Sequence, residues 1–288
     1  MKQKIKFLLK IILTIAILWF VLYKIEIERL KESLKDIDLI WLFIAFMLFN
    51  LSKVVSSFRL NIYFKAMGLK LSEKFNLTLY YVGMFYNLFL PGGIGGDGYK
   101  VYLLNRYYKK GIKQLFKAIL LDRISGLFAL IFLSSLLFVF SDYSELLGDW
   151  GKLIALMFSI LLFPIAYFLT RLFFNDFLKY FNQTLIWGFV VQLLQLLCAL
   201  SIIKSLYIDY ANLEYLILFL LSNVVAILPL TIGGVGVREL TFLYGLEFIG
   251  KEPSLGVTFS FLFFMITAVS SLLGLFFLNR VSLKKGIS

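Results

Sequence analysis

Three short runs hold the residues whose types and spacing suit chemistry: PGGIGGDGYK at 91–100, DR at 122–123 and PLTIGGVGVRE at 229–239. The first and third share the pattern P-x-x-I-G-G-x-G-x-[KR] and start 138 positions apart. Proline and glycine interrupt a helix and free its backbone polar groups. If a half-helix begins after each interruption, its first N–H groups and the positive end of its dipole face the break. The first run then sets Gly95, Gly96 and Asp97 at the break and Lys100 in the first turn. The third sets Gly233, Gly234 and Gly236 at the break, with Arg238 and Glu239 just beyond. Each arrangement suits an anion, phosphate above all. The structural alternative is close helix packing, with Lys100 and Arg238 reaching out to the membrane interface.

The copies are not equivalent. Asp97 in the first is Val235 in the third, and Val101 is Glu239. A carboxylate at a glycine turn deep in a membrane is expensive and marks function by default; Asp97 is placed to cap the half-helix, bind a cation or carry a proton. Asp122 and Arg123 sit within the apolar run AILLDRISGLFAL. Adjacent residues on a helix point in different directions, so each needs its own partner: Lys100 for Asp122, and Asp97 or a lipid phosphate for Arg123. Gln192 and Gln195 share a helix face, either lining a cavity or joining helices by hydrogen bonds. Asn87 and Asn223 precede the two prolines and are candidates to satisfy freed carbonyls.

These residues need a membrane to hold them. The chain is 61% apolar and only 16% charged, against roughly 45–50% apolar in soluble domains. Its apolar runs are too long for strands and do not alternate, so helices are indicated rather than a barrel. The absence of histidine removes imidazole bases and histidine metal ligands. Cys198, the only cysteine, sits in an apolar helix as a packing residue. No cofactor, metal site or catalytic constellation is predicted. The net charge of +12 crowds the ends of apolar segments, as for anionic lipid rather than nucleic acid. The basic, then apolar N-terminus is expected to be an uncleaved first crossing.

Eight apolar segments can be drawn, at about 5–23, 39–58, 75–90, 115–140, 151–170, 184–204, 213–230 and 254–279. If all eight cross, lysine and arginine divide equally, fourteen to each side. If the third and seventh turn back at their glycines, twenty fall inside and eight outside. The positive-inside rule selects the second arrangement. It is an all-α polytopic membrane protein with six crossings and two re-entrant helical hairpins, both termini cytoplasmic. Residues 1–288 form a single domain of two units, about 1–145 and 146–288. An odd number of crossings per unit inverts the second relative to the first, as in many secondary transporters. An amphipathic helix is expected over 24–41 on the outer surface, and the loop 141–150 falls outside. Trp19, Trp41 and Trp150 mark the outer boundary and Trp187 the inner one.

The motifs LPGGIGGDGYK at 90–100, DRISG at 122–126 and PLTIGGVGVRE at 229–239, in that order, resemble the flippase-like family that includes the transmembrane region of lysylphosphatidylglycerol synthetases. The resemblance spans essentially the whole sequence. It implies a cell (cytoplasmic or inner) membrane protein that binds or translocates a lipid with an anionic, phosphate-containing headgroup, of phospholipid or polyprenyl type. By position it points to Asp97, Lys100, Asp122, Arg123, Arg238 and Glu239. In the synthetases a soluble aminoacyltransferase domain follows; this sequence stops at Ser288, so that activity is not expected to carry over, and the chain is not expected to be an enzyme. A lipid-modifying enzyme, or a lipid-binding partner of a cell-envelope biosynthesis enzyme, is the alternative. The membrane and its lipid are the expected partners, with a homo-oligomer left open.

Overall fold

The computed structural model describes residues 12, 15–24, 27–89, 95–227, 231 and 234–278. Among these the chain is helical, with no β-strand. In order the helices are α1 (Ile15–Lys24), α2 (Ile27–Lys35), α3 (Leu39–Ala66), α4 (Glu73–Phe89), α5 (Gly95–Tyr108), α6 (Ile112–Phe138), α7 (Asp142–Phe173), α8 (Phe181–Ser205), α9 (Asn212–Ile227), α10 (Val237–Phe248) and α11 (Ser254–Leu272). Short 3₁₀ turns lead into α8 and extend α11 to Phe277. Among the described residues five stretches are long and apolar enough to cross a membrane: Leu39–Ala66, Ile112–Phe138, Asp142–Phe173, Asn175–Ser205 and Ser254–Phe277. This is a multi-pass membrane protein. Of the expected first crossing, much lies outside the described residues.

α3 begins cleanly because Asp38 accepts hydrogen bonds from the N–H groups of Ile40 (2.8 Å) and Trp41 (3.3 Å), the usual work of an N-cap carboxylate. It then runs eight residues past the expected boundary at 58, to Ala66. The polar run around Ser52–Ser57 does not end it. Ser52 and Ser56 donate back to the carbonyls of Phe49 (2.6 Å) and Ser52 (2.8 Å), which lets hydroxyls sit inside a helix without outside partners. Two other expectations shift. The helix expected over 24–41 is the shorter α2, tied to α11 by the hydroxyl pair Ser33–Thr258 (3.1 Å). The acidic 141–150 segment is helical, joined to the rest of α7 through a break at Gly148 (φ 67°).

α3 lies along α8 more extensively than any other two helices pack. Around this central pair, α4 packs on α5 and α9 on α10, while α4 also touches α11 and α9 touches α6. Small residues permit the closest approaches, as is usual between membrane helices. A Cβ added at Gly96 would lie 1.9 Å from the carbonyl oxygen of Gly83, so α4 and α5 are in backbone contact there. Two apolar clusters result. One holds Phe49, Phe219, Phe259 and Phe263 between α3, α8, α9 and α11. The other holds Leu60, Tyr63, Phe64, Leu79 and Leu104 between α3, α4, α5 and α6.

Candidate functional site

The start of α5 is fixed from two directions. Gly96 lies against Gly83, and its N–H donates to Oδ1 of Asn87 (2.8 Å). Asn87 therefore satisfies a freed N–H rather than the carbonyl expected of it. One residue on, Asp97 is buried in the first turn of α5. Its carboxylate receives Lys100 Nζ at 3.2 Å and Arg123 Nε at 2.5 Å, which ties α5 to α6. Lys100 is buried as well, its stem against Gly83 and its ammonium 4.6 Å from the centre of the Tyr80 ring. A side chain at Gly83 would displace that stem, since an added Cβ would sit 2.5 Å from Lys100 Cε.

Asp122 faces elsewhere. Its partner is Arg59 of α3, with Nε at 2.7 Å from Oδ1 and Nη2 donating to the Asp122 carbonyl at 3.0 Å. The expected contact with Lys100 is replaced by this one, while Arg123 does take Asp97. The Arg59 guanidinium fits beside two glycines, 3.2 Å from a Cβ built at Gly126 and 3.4 Å from one at Gly188. Its Nη1 has no hydrogen-bond partner. Gln192 donates to the Gly126 carbonyl at 3.3 Å, joining α8 to α6; Gln195, also buried, is one turn away.

The second glycine turn is built differently. Gly234 and Gly236 have φ of 78° and 89°, a region open to glycine and strained for side chains. Gly233 lies outside the described residues, as do 90–94. Glu239 folds back to accept the Gly236 N–H at 2.6 Å and the Ser260 hydroxyl at 3.0 Å, satisfying the helix start in place of an N-cap side chain. Arg238 lies over the Phe263 ring, 5.0 Å from its centre. Its Nε and Nη1 are buried and lack hydrogen-bond partners.

Asp97, Lys100 and Arg123 thus form one ion group, Asp122 joins Arg59, and Arg238 and Glu239 occupy the other glycine turn. Arg59 lies past the boundary expected at 58, and it shares α3 with a second cation, Lys53. The signal that finds them is the apolar run continuing through them to Phe64. Setting aside Glu214, whose buried carboxylate accepts the Asp142 N–H at the start of α7, five cations (Lys53, Arg59, Lys100, Arg123, Arg238) stand with three carboxylates (Asp97, Asp122, Glu239) among the described helices. That leaves an excess of two positive charges where water is scarce and charge interactions are strong. Among the described residues no three His, Cys, Asp or Glu side chains gather to hold a metal.

The chain matches the family described as the lysylphosphatidylglycerol synthase TM region over residues 7–274. No curated protein matches it significantly. The matched span takes in both glycine turns and every charged residue placed above, and the chain belongs to the lysylphosphatidylglycerol synthase TM-region family.

Proposed function

We propose that the protein binds a phosphate-containing lipid among its helices and carries the headgroup across the cell membrane. The observation that carries this is the excess of two positive charges set beside the glycine turns, with the guanidinium of Arg238 short of acceptors. Buried cations without counter-charge are costly, and an anionic headgroup offsets that cost. The basic turn at Arg238 and the Asp97–Lys100–Arg123 group form the polar path, with Asp122 and Glu239 holding their cationic or N–H neighbours in place.

In the proposed topology α4–α5 and α9–α10 are re-entrant pairs within one domain, the two units are inverted, and both termini are cytoplasmic. Lengths support the re-entrant pairs. At 1.5 Å per residue, α4, α5, α9 and α10 are roughly 18–26 Å long, short of the ~30 Å hydrocarbon core. The contact pattern supports two units related by a two-fold exchange. A two-fold axis exchanging the units would pair α3 with α8, α4 with α9, α5 with α10 and α6 with α11. The packing then maps onto itself: α3 on α8, α4 on α11 beside α9 on α6, and α5 on α6 beside α10 on α11. Removing the four buried or partly buried cations Lys53, Arg59, Lys100 and Arg238 from the loop count still leaves seventeen inside and seven outside (three leave one side, one the other).

The test is lipid translocation by purified protein in liposomes, read by chemical quenching of headgroup-labelled phosphatidylglycerol and phosphatidic acid. Translocation of a phosphate lipid above protein-free vesicles, lowered by Arg238→Gln, is expected. No translocation of either lipid, or equal rates in wild type and the variant, overturns the proposal.

A further inference from the structure

Lys53 and Arg238 have no ion pair among the described residues. They come from opposite halves of the sequence, yet share one aromatic platform. Lys53 Nζ lies 4.4 Å from the centre of the Phe49 ring, and Arg238 Cζ lies 5.0 Å from that of Phe263. The two rings meet edge to face, 5.7 Å apart. Lys53 leans back one turn toward the start of α3, as long side chains on helices do. Like charges joined through one pair of touching rings in a low-dielectric interior repel, and an anion between them relieves that repulsion. The turn ahead of α10 adds Thr231, whose buried hydroxyl has no partner.

An apolar groove of about 300 Å³ lies between α3 and α11, with Phe46 one helical turn from Phe49 of the platform. Leu42, Phe43 and Phe46 form one wall, and Leu262, Met265 and Val269 the other. On α3, Leu42, Phe46, Phe49 and Lys53 follow one another at intervals of four, three and four, so groove and ammonium share one helix face. On α11, Leu262 of the wall adjoins Phe263, which carries Arg238. Phe43, Met265 and Val269 are exposed, so the groove opens on the outside of the bundle, which in a membrane protein is lipid.

We propose that Lys53 and Arg238 together seat the phosphate of a lipid whose acyl chain lies in the α3–α11 groove. This rests on the lipid-phosphate function proposed above and names its seat and the lateral opening that serves it. Two cations without an ion pair among the described residues, beside a Glu239 whose oxygens are turned to Gly236 and Ser260, match the phosphate of a lipid headgroup. The Asp97 group, by contrast, already contains its own counter-charge. The groove commits the ligand to a lipid rather than free phosphate, because a soluble anion has no use for an apolar groove on the neighbouring turns of the same two helices.

The test uses the full chain in detergent micelles, with dioleoyl phosphatidic acid and dioleoylglycerol as probes and bound lipid counted by native mass spectrometry. Wild type should prefer phosphatidic acid. Lys53→Gln and Arg238→Gln should each weaken it about tenfold or more, the usual scale for a lost charged hydrogen bond, and leave dioleoylglycerol unchanged. Lys53→Arg should restore most of the loss, which a folding defect would not allow. Met265→Trp, which fills the groove, should weaken both lipids. If phosphatidic acid binds the Lys53 and Arg238 variants as it binds wild type but is lost from Lys100→Gln, this seat is wrong and the lipid-phosphate function stands. If Met265→Trp changes nothing, or inorganic phosphate displaces the lipid as well as phosphatidic acid does, the groove is not the tail path. If wild type shows no preference for phosphatidic acid, the function itself falls.

Discussion

Removing the charge of Asp97 should expose how the first ion group is held. Asp97→Asn keeps the shape of the side chain but leaves two cations without their carboxylate. Their cases differ. The Lys100 side chain is 6% exposed and 3.2 Å from Asp97, and a buried charge stripped of its partner costs about 3–5 kcal/mol. The Arg123 side chain is 36% exposed and can turn toward a wetter surrounding, so its loss is nearer the ~0–1 kcal/mol of an exposed pair. Asp97→Asn alone should therefore destabilise by ~3 kcal/mol or somewhat more. Replacing Lys100 by Met in the same chain removes the orphaned charge, so Asp97→Asn with Lys100→Met should be more stable than Asp97→Asn alone. The same cycle with Arg123→Gln should show a much smaller coupling. Equilibrium unfolding in mixed micelles, followed by the fluorescence of the four tryptophans, measures all three. The reasoning fails if the Asp97–Lys100 coupling lies within the ~0.5 kcal/mol expected of independent sites, or if it is no larger than the Asp97–Arg123 coupling.

Other positions give equally direct outcomes. Gly96→Ala should destabilise by at least the ~1–3 kcal/mol of an overpacked core, because its Cβ would strike the Gly83 backbone. Gly98→Ala, with nothing within 4 Å, should be neutral or add up to ~1 kcal/mol; the same unfolding assay ranks them. Glu239→Ala should cost ~1–2 kcal/mol by freeing the Gly236 N–H, while Glu239→Gln, which keeps an acceptor oxygen, should cost less. Arg59→Met leaves buried Asp122 alone and should be worse than Arg59→Met with Asp122→Asn, again read by unfolding.

Much of this architecture is legible in the sequence. The helical membrane class follows from long apolar runs, and the turn at Gly234 and Gly236 from its glycines. The Asp97–Arg123 pair follows from needing a counter-charge at similar depth. What escapes is the reach of α3. Lys53 and Arg59 look like loop cations because SKVVSSFR is polar by composition, and composition cannot see that Ser52 and Ser56 satisfy themselves on their own helix. With Arg59 misplaced, Asp122 has no visible partner except Lys100. Helical periodicity would have rescued both, since Phe49, Lys53, Ser56 and Leu60 keep to one face. Glu239 reads as a site carboxylate, whereas its oxygens are engaged by Gly236 and Ser260, a contact with a residue 21 positions away that no local pattern announces.

The bond between Asp97 and Arg123 also imposes an order on biogenesis. α5 is made before α6, so its buried Asp97–Lys100 pair leaves the ribosome ahead of the arginine that ties it to α6. A charged side chain at the centre of an inserting helix costs about 2.5–3.5 kcal/mol, and GGDGYKVYLLNRYY has little apolar surface to set against two of them. α4 and α5 are therefore expected to wait at the membrane surface and fold inward only when α6 arrives. A nascent chain arrested before α6 should leave Lys100 open to aqueous labelling, and one arrested after it should not.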